Sequence, residues 1–229
     1  MPSRNVIKQY TENGHYHIYN RGVNKGLIFA DDQDYRVFLS YLKSYLNPPP
    51  PKHLLPTKHI YVKGRTFDAT TYQVKNYSKE IKLLCYCLMP NHFHFLIKQQ
   101  PQNGIQEFMR SLSTRYAYYF NKRHQRTGPL FQSRYKAVLI DSEEYLLHLS
   151  RYIHLNPSEF TSSLSNWYSS YSDYLGTKKT PWVKPKLILS FFSETQTLAP
   201  HTPTSYQQFV ESKQDSLSKL GTLIIESLD

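Results

Sequence analysis

The stretch YCLMPNHFHFLIK, residues 86–98, decides the fold. Its second half alternates without a break. Phe93, Phe95 and Ile97 fall on one side of an extended chain, and His92, His94 and Leu96 fall on the other. Such a strand buries one face in an apolar core and offers the other to chemistry or solvent. The run just before it, KLLCYCL (82–88), reads as a second strand. Met89-Pro90-Asn91 between them reads as a turn, so the pair forms a hairpin.

Elements of two kinds flank this hairpin. HYHIYNRG (15–22) reads as a first strand closing at Gly22. Asp31 or Asp32 can cap a helix running to about Leu46, in which Tyr35, Phe38, Leu39, Leu42 and Tyr45 keep the helical period. Asn47 and Pro48–Pro51 stop it. Residues 104–124 form an amphipathic helix with Ile105, Phe108, Met109, Leu112, Tyr116, Tyr119 and Phe120 on one stripe. After the break at Gly128-Pro129, YKAVLI (135–140) is a strand. Asp141 or Ser142 caps the helix that follows, Glu144 standing three residues after Asp141 as in a capping box. Asn156-Pro157 ends that helix.

The order of elements predicts a mixed α/β (α+β) fold, a mostly antiparallel sheet with helices on one face and His-x-His on a central strand. Ferredoxin-like sheets belong to that class. Residues 1–160 are expected to be the working domain. Residues 47–80, rich in Pro, Lys and Thr, read as an inserted loop or hairpin, with short strands near 59–63 and 70–75. Residues 161–229 read as an extension packing on the domain or trailing it, with short helices near 186–194 and 204–214.

Composition narrows the class. With 229 residues, 39% hydrophobic and 15% aromatic, the chain can build one good core and is not a disordered segment. No run of about 18 apolar residues exists, so no membrane span is expected. The opening MPSRNVIKQYTENG lacks the apolar stretch of a secretory signal. Cys85 and Cys87 alternate on one strand face, poorly placed to bridge each other, and no CxxC is present. That usage suits a reducing, cytoplasmic setting. The formal charge is +11. Residues 201–229 carry net −2, from Glu211, Asp215, Glu226 and Asp229 against Lys213 and Lys219, which leaves +13 on residues 1–200. A basic body of that kind points to a polyanion, most often nucleic acid.

Three local features can carry chemistry. His92 and His94 lie two apart on a strand, so both imidazoles face the same way and can share a metal. The same spacing recurs at His15-Tyr16-His17. Alone, either pair is more readily a polar strand face than a pair of ligands. In RYIHLNP (151–157), Tyr152 and Asn156 are one helical turn apart, at the flank of the stripe Leu146, Leu149, Ile153. Residues 101–136 hold seven basic residues against one acid, Glu107, interleaved with Tyr118, Tyr119 and Phe131. That mixture suits phosphate pairing and base stacking. Two imidazoles and an amide oxygen can hold a divalent cation against a phosphate, with a tyrosine hydroxyl beside them to attack it. A mixed nitrogen and oxygen donor set fits Mg²⁺ or Mn²⁺ better than a closed zinc site.

Taken together, YHIYNRGVNKGLIF (16–29), YCLMPNHFHFLIK (86–98), GPLFQSRYKAVLI (128–140) and the Tyr-x-x-x-Asn-Pro of YIHLNP (152–157) resemble the HUH single-strand nucleases. More narrowly they resemble the REP-associated tyrosine transposases among the single-tyrosine transposases. The resemblance continues weakly through NWYSSYSDYLG (166–176) and PWVKPKLILSFF (181–192). It implies a compact ferredoxin-like domain that cleaves single-stranded DNA near a hairpin. It implies His92 and His94 as metal ligands, Asn156 as the third, and Tyr152 as the nucleophile. The implied product is a 5′-phosphotyrosine with a free 3′-OH, followed by strand transfer. The implied cofactor is Mg²⁺ or Mn²⁺, and the implied assembly is a monomer or a homodimer. Arg21, Lys25, Arg134 and Lys136 are the expected DNA contacts. The insertion at 47–80 is longer than a minimal member needs, and the tail beyond about 195 matches nothing in the pattern. Two other readings compete. One is a domesticated hairpin-binding protein with little or no turnover, which would not need both histidines and the tyrosine. The other is an RNA-binding module using the aromatic strands 16–20 and 82–88, but no RNP-like run is present.

Overall fold

A computed structural model describes residues 10–51, 54, 57–70, 75–193 and 205–212. The strands are β1 (His15–Arg21), β2 (Thr57–Val62), β3 (Arg65–Thr70), β4 (Ile81–Met89), β5 (His92–Gln99) and β6 (Lys136–Ile140). The helices are α1 (Asp32–Leu46), α2 (Gly104–Arg123), α3 (Glu143–Leu155), α4 (Tyr171–Tyr174), α5 (Lys186–Ser193) and α6 (Tyr206–Glu211).

Four strands form one sheet in the order β4-β5-β1-β6, and every neighbouring pair is antiparallel. The β2–β3 hairpin pairs only with itself. It lies within the 47–80 insertion; the expected second strand starts earlier, at Arg65, and residues 71–74 lie outside those described. Without that hairpin the chain runs β1-α1-β4-β5-α2-β6, the ferredoxin-like order. The β4–β5 hairpin turns tightly at Pro90-Asn91, with Met89 opposite His92. Of the two aspartates that could start α1, Asp31 caps it, its carboxylate accepting from the N–H groups of Gln33 and Asp34. At α3 the cap is Ser142, whose Oγ accepts from Tyr145 N at 3.3 Å. Asp141 stands one residue too early for a capping box with Glu144.

The alternation of β5 divides the protein into two cores. Phe93, Phe95 and Ile97 join Tyr16 and Ile18 of β1, Phe38 and Leu42 of α1, and Phe108, Leu112 and Tyr116 of α2. Phe38 stands edge-on to Tyr116 at 4.8 Å, and the Tyr116 hydroxyl donates to Ile28 O. Each such aromatic contributes roughly 1.5–3 kcal/mol by burial. The two crossover helices thus occupy one face, as the sequence predicts. The other face is covered as well, because Cys85, Cys87 and Leu96 point there and require apolar neighbours. Leu146, Leu149 and Ile153 of α3 supply them, with Tyr171, Tyr174, Ile188, Tyr206 and Val210. Cys85 and Cys87 are both buried free thiols. No helix among the described residues is long and apolar enough to cross a membrane.

A buried polar network ties the late segment to α3. The His154 ring meets Tyr206 Oη at 2.7 Å through Nδ1 and Ser170 Oγ at 2.8 Å through Nε2. The Tyr206 hydroxyl donates to Ser150 Oγ, and Arg151 donates to the carbonyls of Val210 and Ser212. Burial pushes His154, and likewise His17 on β1, down from 6.5 to about 3. Both therefore bind fewer protons folded than unfolded. Their contribution is complete above pH 6.5 and is lost as the pH falls toward 3. At pH 5 the loss is about 2 kcal/mol per histidine. The urea midpoint is therefore expected to fall between pH 8 and pH 5. An unchanged or higher midpoint at pH 5 would contradict these buried neutral imidazoles.

Candidate functional site

The second face of the sheet holds a small polar group within that apolar cover. Along β1 the residues His17, Tyr19 and Arg21 point to it. In the antiparallel register, Tyr19 lies opposite His94 and Arg21 opposite His92. On the other side of β1, Tyr19 is paired with Lys136 of β6. The helix α3 crosses this face and brings Tyr152 and Asn156, one turn apart, down onto it.

His92 is partly exposed and anchored at both ring nitrogens. Its Nδ1 lies 2.6 Å from Asn91 Oδ1, and its Nε2 lies 3.1 Å from Asn156 Oδ1. Burial lowers the pKa of His92; the Asn156 contact opposes this and Arg21 adds to it. A neutral ring donating Nδ1–H to Asn91 turns its Nε2 lone pair toward the Asn156 oxygen. Two acceptors so placed repel until a proton or a cation lies between them. His94 is fully buried, and burial, then the neighbouring His92 and His17, holds its pKa well below the usual histidine range. Its Nδ1 lies 2.8 Å from His17 Nε2. Its Nε2 has no hydrogen-bond partner among the described residues. The rings of His92 and His94 are perpendicular, with centroids 5.1 Å apart.

Tyr152 packs its ring edge-on against His94, with centroids 5.4 Å apart at 88°. It also meets His17 edge-on, at 6.4 Å. Tyr19 closes the other side, 6.1 Å from His94. Among the described residues no three of His, Cys, Asp and Glu gather to hold a metal. The donors available to a divalent cation are instead His92 Nε2, His94 Nε2 and Asn156 Oδ1. The unpartnered buried nitrogen of His94 and the opposed acceptors of His92 and Asn156 both fit that use.

The four basic residues singled out in the sequence separate. Arg21 and Lys136 rim the histidine face. Arg21 donates through Nε to Gln132 Oε1, and Lys136 sits over the Tyr19 ring at 5.9 Å. Burial and then Arg21 lower the Lys136 pKa. Lys25 is exposed in the turn after β1, where its carbonyl accepts from Asn91 Nδ2 at 3.2 Å. Arg134 opens instead onto a cleft of about 660 Å³ on the α2 side of the sheet, shared with Arg110, Phe131 and Tyr135.

Two neighbours of the site escaped the sequence reading. His17 belongs to the second His-x-His pair, but its role depends on β1 lying beside β5, which spacing alone does not reveal. Asn91 was read only as a turn residue. Its side chain bridges Lys25 O and the His92 ring.

Residues 64–156 match the model of the family described as Transposase IS200 like. The match begins in the β2–β3 turn, spans β4, β5, α2, β6 and α3, and ends on Asn156. It takes up less than half of the chain, and β1, with His17 and Arg21, precedes it. Among solved structures, a REP-associated tyrosine transposase bound to a REP hairpin is similar over 79% of this chain and 97% of its own, at 11% identity and a TM-score of 0.49. A structure described as a transposase from Deinococcus radiodurans R1 is similar over 67% and 95%, at 14% identity and a TM-score of 0.36. No curated protein matches the chain.

Proposed function

We propose that this protein is a single-tyrosine transposase of the HUH kind that nicks single-stranded DNA beside a hairpin and transfers the strand. The observation that carries the reading is the Tyr152 ring set edge-on against His94, 5.4 Å away, on a face where His92 meets Asn156. The transposase domain at 64–156 contains all four of these residues. All four come from one chain, so the proposed centre needs no second copy.

His92, His94 and Asn156 would hold Mg²⁺ or Mn²⁺. When bound, the cation draws charge from the non-bridging phosphate oxygens and favours phenolate over phenol. Tyr152 Oη attacks phosphorus and loses its proton to solvent. The P–O3′ bond breaks, the departing 3′ oxygen takes up a proton, and the 5′ phosphate stays on Tyr152. The link conserves the phosphodiester bond, so attack by another 3′-OH reverses it without an external energy source. Tyr19 and the apolar cover under α3 restrict water at the tyrosyl link. Arg21 and Lys136 meet the phosphates on either side.

The direct test mixes the protein with labelled hairpin DNA from the flanks of its own gene, with Mg²⁺ or Mn²⁺, on a denaturing gel. An SDS-resistant protein–DNA band is expected. Tyr152→Phe is expected to abolish the band while hairpin affinity on a native gel stays within about twofold. Capture surviving in that variant would move the nucleophile elsewhere. A specific native shift with no covalent band in the unaltered protein would favour a domesticated hairpin binder. His94→Ala is expected to cut metal-dependent capture by more than about a hundredfold, since losing even an outer partner of a ligand costs 10- to 100-fold. Replacing Arg21 and Lys136 with Ala is expected to flatten the salt dependence of binding by about 0.7–0.9 per residue. An unchanged slope would exclude both from phosphate contact.

A further inference from the structure

The pair His15-Tyr16-His17 is left over by the reaction. Its second histidine is fully buried under α3, where an imidazole with no role would be a poor choice opposite Leu96 and against the Tyr152 ring. His17 touches one polar group, the Nδ1 of His94, at 2.8 Å. The two ring planes are 14° apart, as an in-plane N–H···N bond requires. The far nitrogens, His17 Nδ1 and His94 Nε2, have no hydrogen-bond partner among the described residues.

Two neutral rings joined by one bond admit two proton arrangements. If His17 Nε2 carries the proton, His94 must carry its own on Nε2. A buried N–H then points at the place where a ligand lone pair is needed. If His94 Nδ1 carries it and His17 Nε2 accepts, the lone pair of the buried His94 Nε2 is left free for a ligand. Only the second arrangement lets His94 bind a cation through Nε2. A cation at His94 Nε2 selects it, and His17 Nε2 is then the acceptor that a carboxylate or carbonyl commonly supplies to a metal-binding imidazole.

We propose that His17 is a positioning residue for the metal site, accepting the Nδ1 proton of His94 and so holding its Nε2 lone pair toward the cation. The inference rests on the metal-site reading above. It extends the functional group beyond the family match at 64–156, back to the first strand. An imidazole in this place, unlike a carboxylate, adds no negative charge. It takes up the Nδ1 proton and adds nothing that would offset the cation's charge toward a phosphate.

The test is a titration of the whole protein with Mn²⁺, followed by calorimetry or by the electron-spin signal of free Mn²⁺, with the far-ultraviolet spectrum as a check of folding. The unaltered protein is expected to bind Mn²⁺, and His94→Ala to lose it. His17→Phe, which keeps a ring but removes the acceptor, is expected to weaken binding about 10- to 100-fold. His17→Gln, which returns an acceptor at similar reach, is expected to restore it to within a few-fold. Unchanged Mn²⁺ affinity in His17→Phe would overturn the proposal, as would His17→Gln as weak as His17→Phe. Absent binding in the unaltered protein, or undiminished binding in His94→Ala, would instead remove the metal-site reading beneath it. A second measurement needs no variant. Nitrogen-15 shifts of the histidine rings are expected to show the proton on His94 Nδ1, coupled across the bond to His17. A proton found on His94 Nε2 would overturn the proposal even if His17→Phe fails to fold.

Discussion

The period of two along β5 is the constraint on which the rest of the structure depends. A single strand delivers Phe93, Phe95 and Ile97 to one core and His92, His94 and Leu96 to the other face. A slip of one residue would bury the histidines against Phe38 and Tyr116 and turn the phenylalanines toward α3. The apolar core therefore does more than stabilise the sheet. Its grip on the phenylalanines sets where each imidazole stands, and it does so from the side opposite to the chemistry. The pairing of β5 with both β4 and β1 completes this, since neither edge of the strand is free to shift.

Electrostatics separate the two sides of the sheet. The carboxylates of Asp31 and Asp34 are gathered at the start of α1, where Arg123 and His124 meet them. The Arg123 guanidinium holds Asp31 down to about 2. The histidine face instead carries neutral, desolvated imidazoles with cations at its rim. Asp31 and Asp34 are thus engaged on the α1 side, while Arg21 and Lys136 rim the histidine face. The more exposed pair of Asp31 with Arg123 adds little to stability itself, whereas Asp34 is buried and depends on its partners.

The sequence was readable wherever one element carried its own pattern. The hairpin at 82–98, the stripes of α1 and α2, and the tyrosine and asparagine one turn apart are all local. The cap of α3 shows the limit of this, because Asp141 and Ser142 both satisfy the rule and only backbone geometry chooses Ser142. The cover of the second face was not readable. Tyr171 and Tyr174 bound one helix of 4 residues and Tyr206 opens another of 6, both too short to show a period. His17 was visible as a pattern but not as a partner, because which strand lies beside β5 is decided by the crossover through α1. Arg134 and Lys136 look alike in sequence and end up on opposite sides of the sheet, because the chain bends just before β6.

Arg151 has a consequence for how the molecule is made. It precedes the candidate nucleophile by one residue, and its buried guanidinium is satisfied by carbonyls at Val210 and Ser212, some sixty positions downstream. Until those carbonyls are made, the donors they satisfy have to be solvated, which keeps that part of α3 from being sealed under its cover. During synthesis the helix can form early, but its final seating waits for the last part of the described chain. The late segment thus sets when α3 takes its final seat, beyond its place as cover for the sheet.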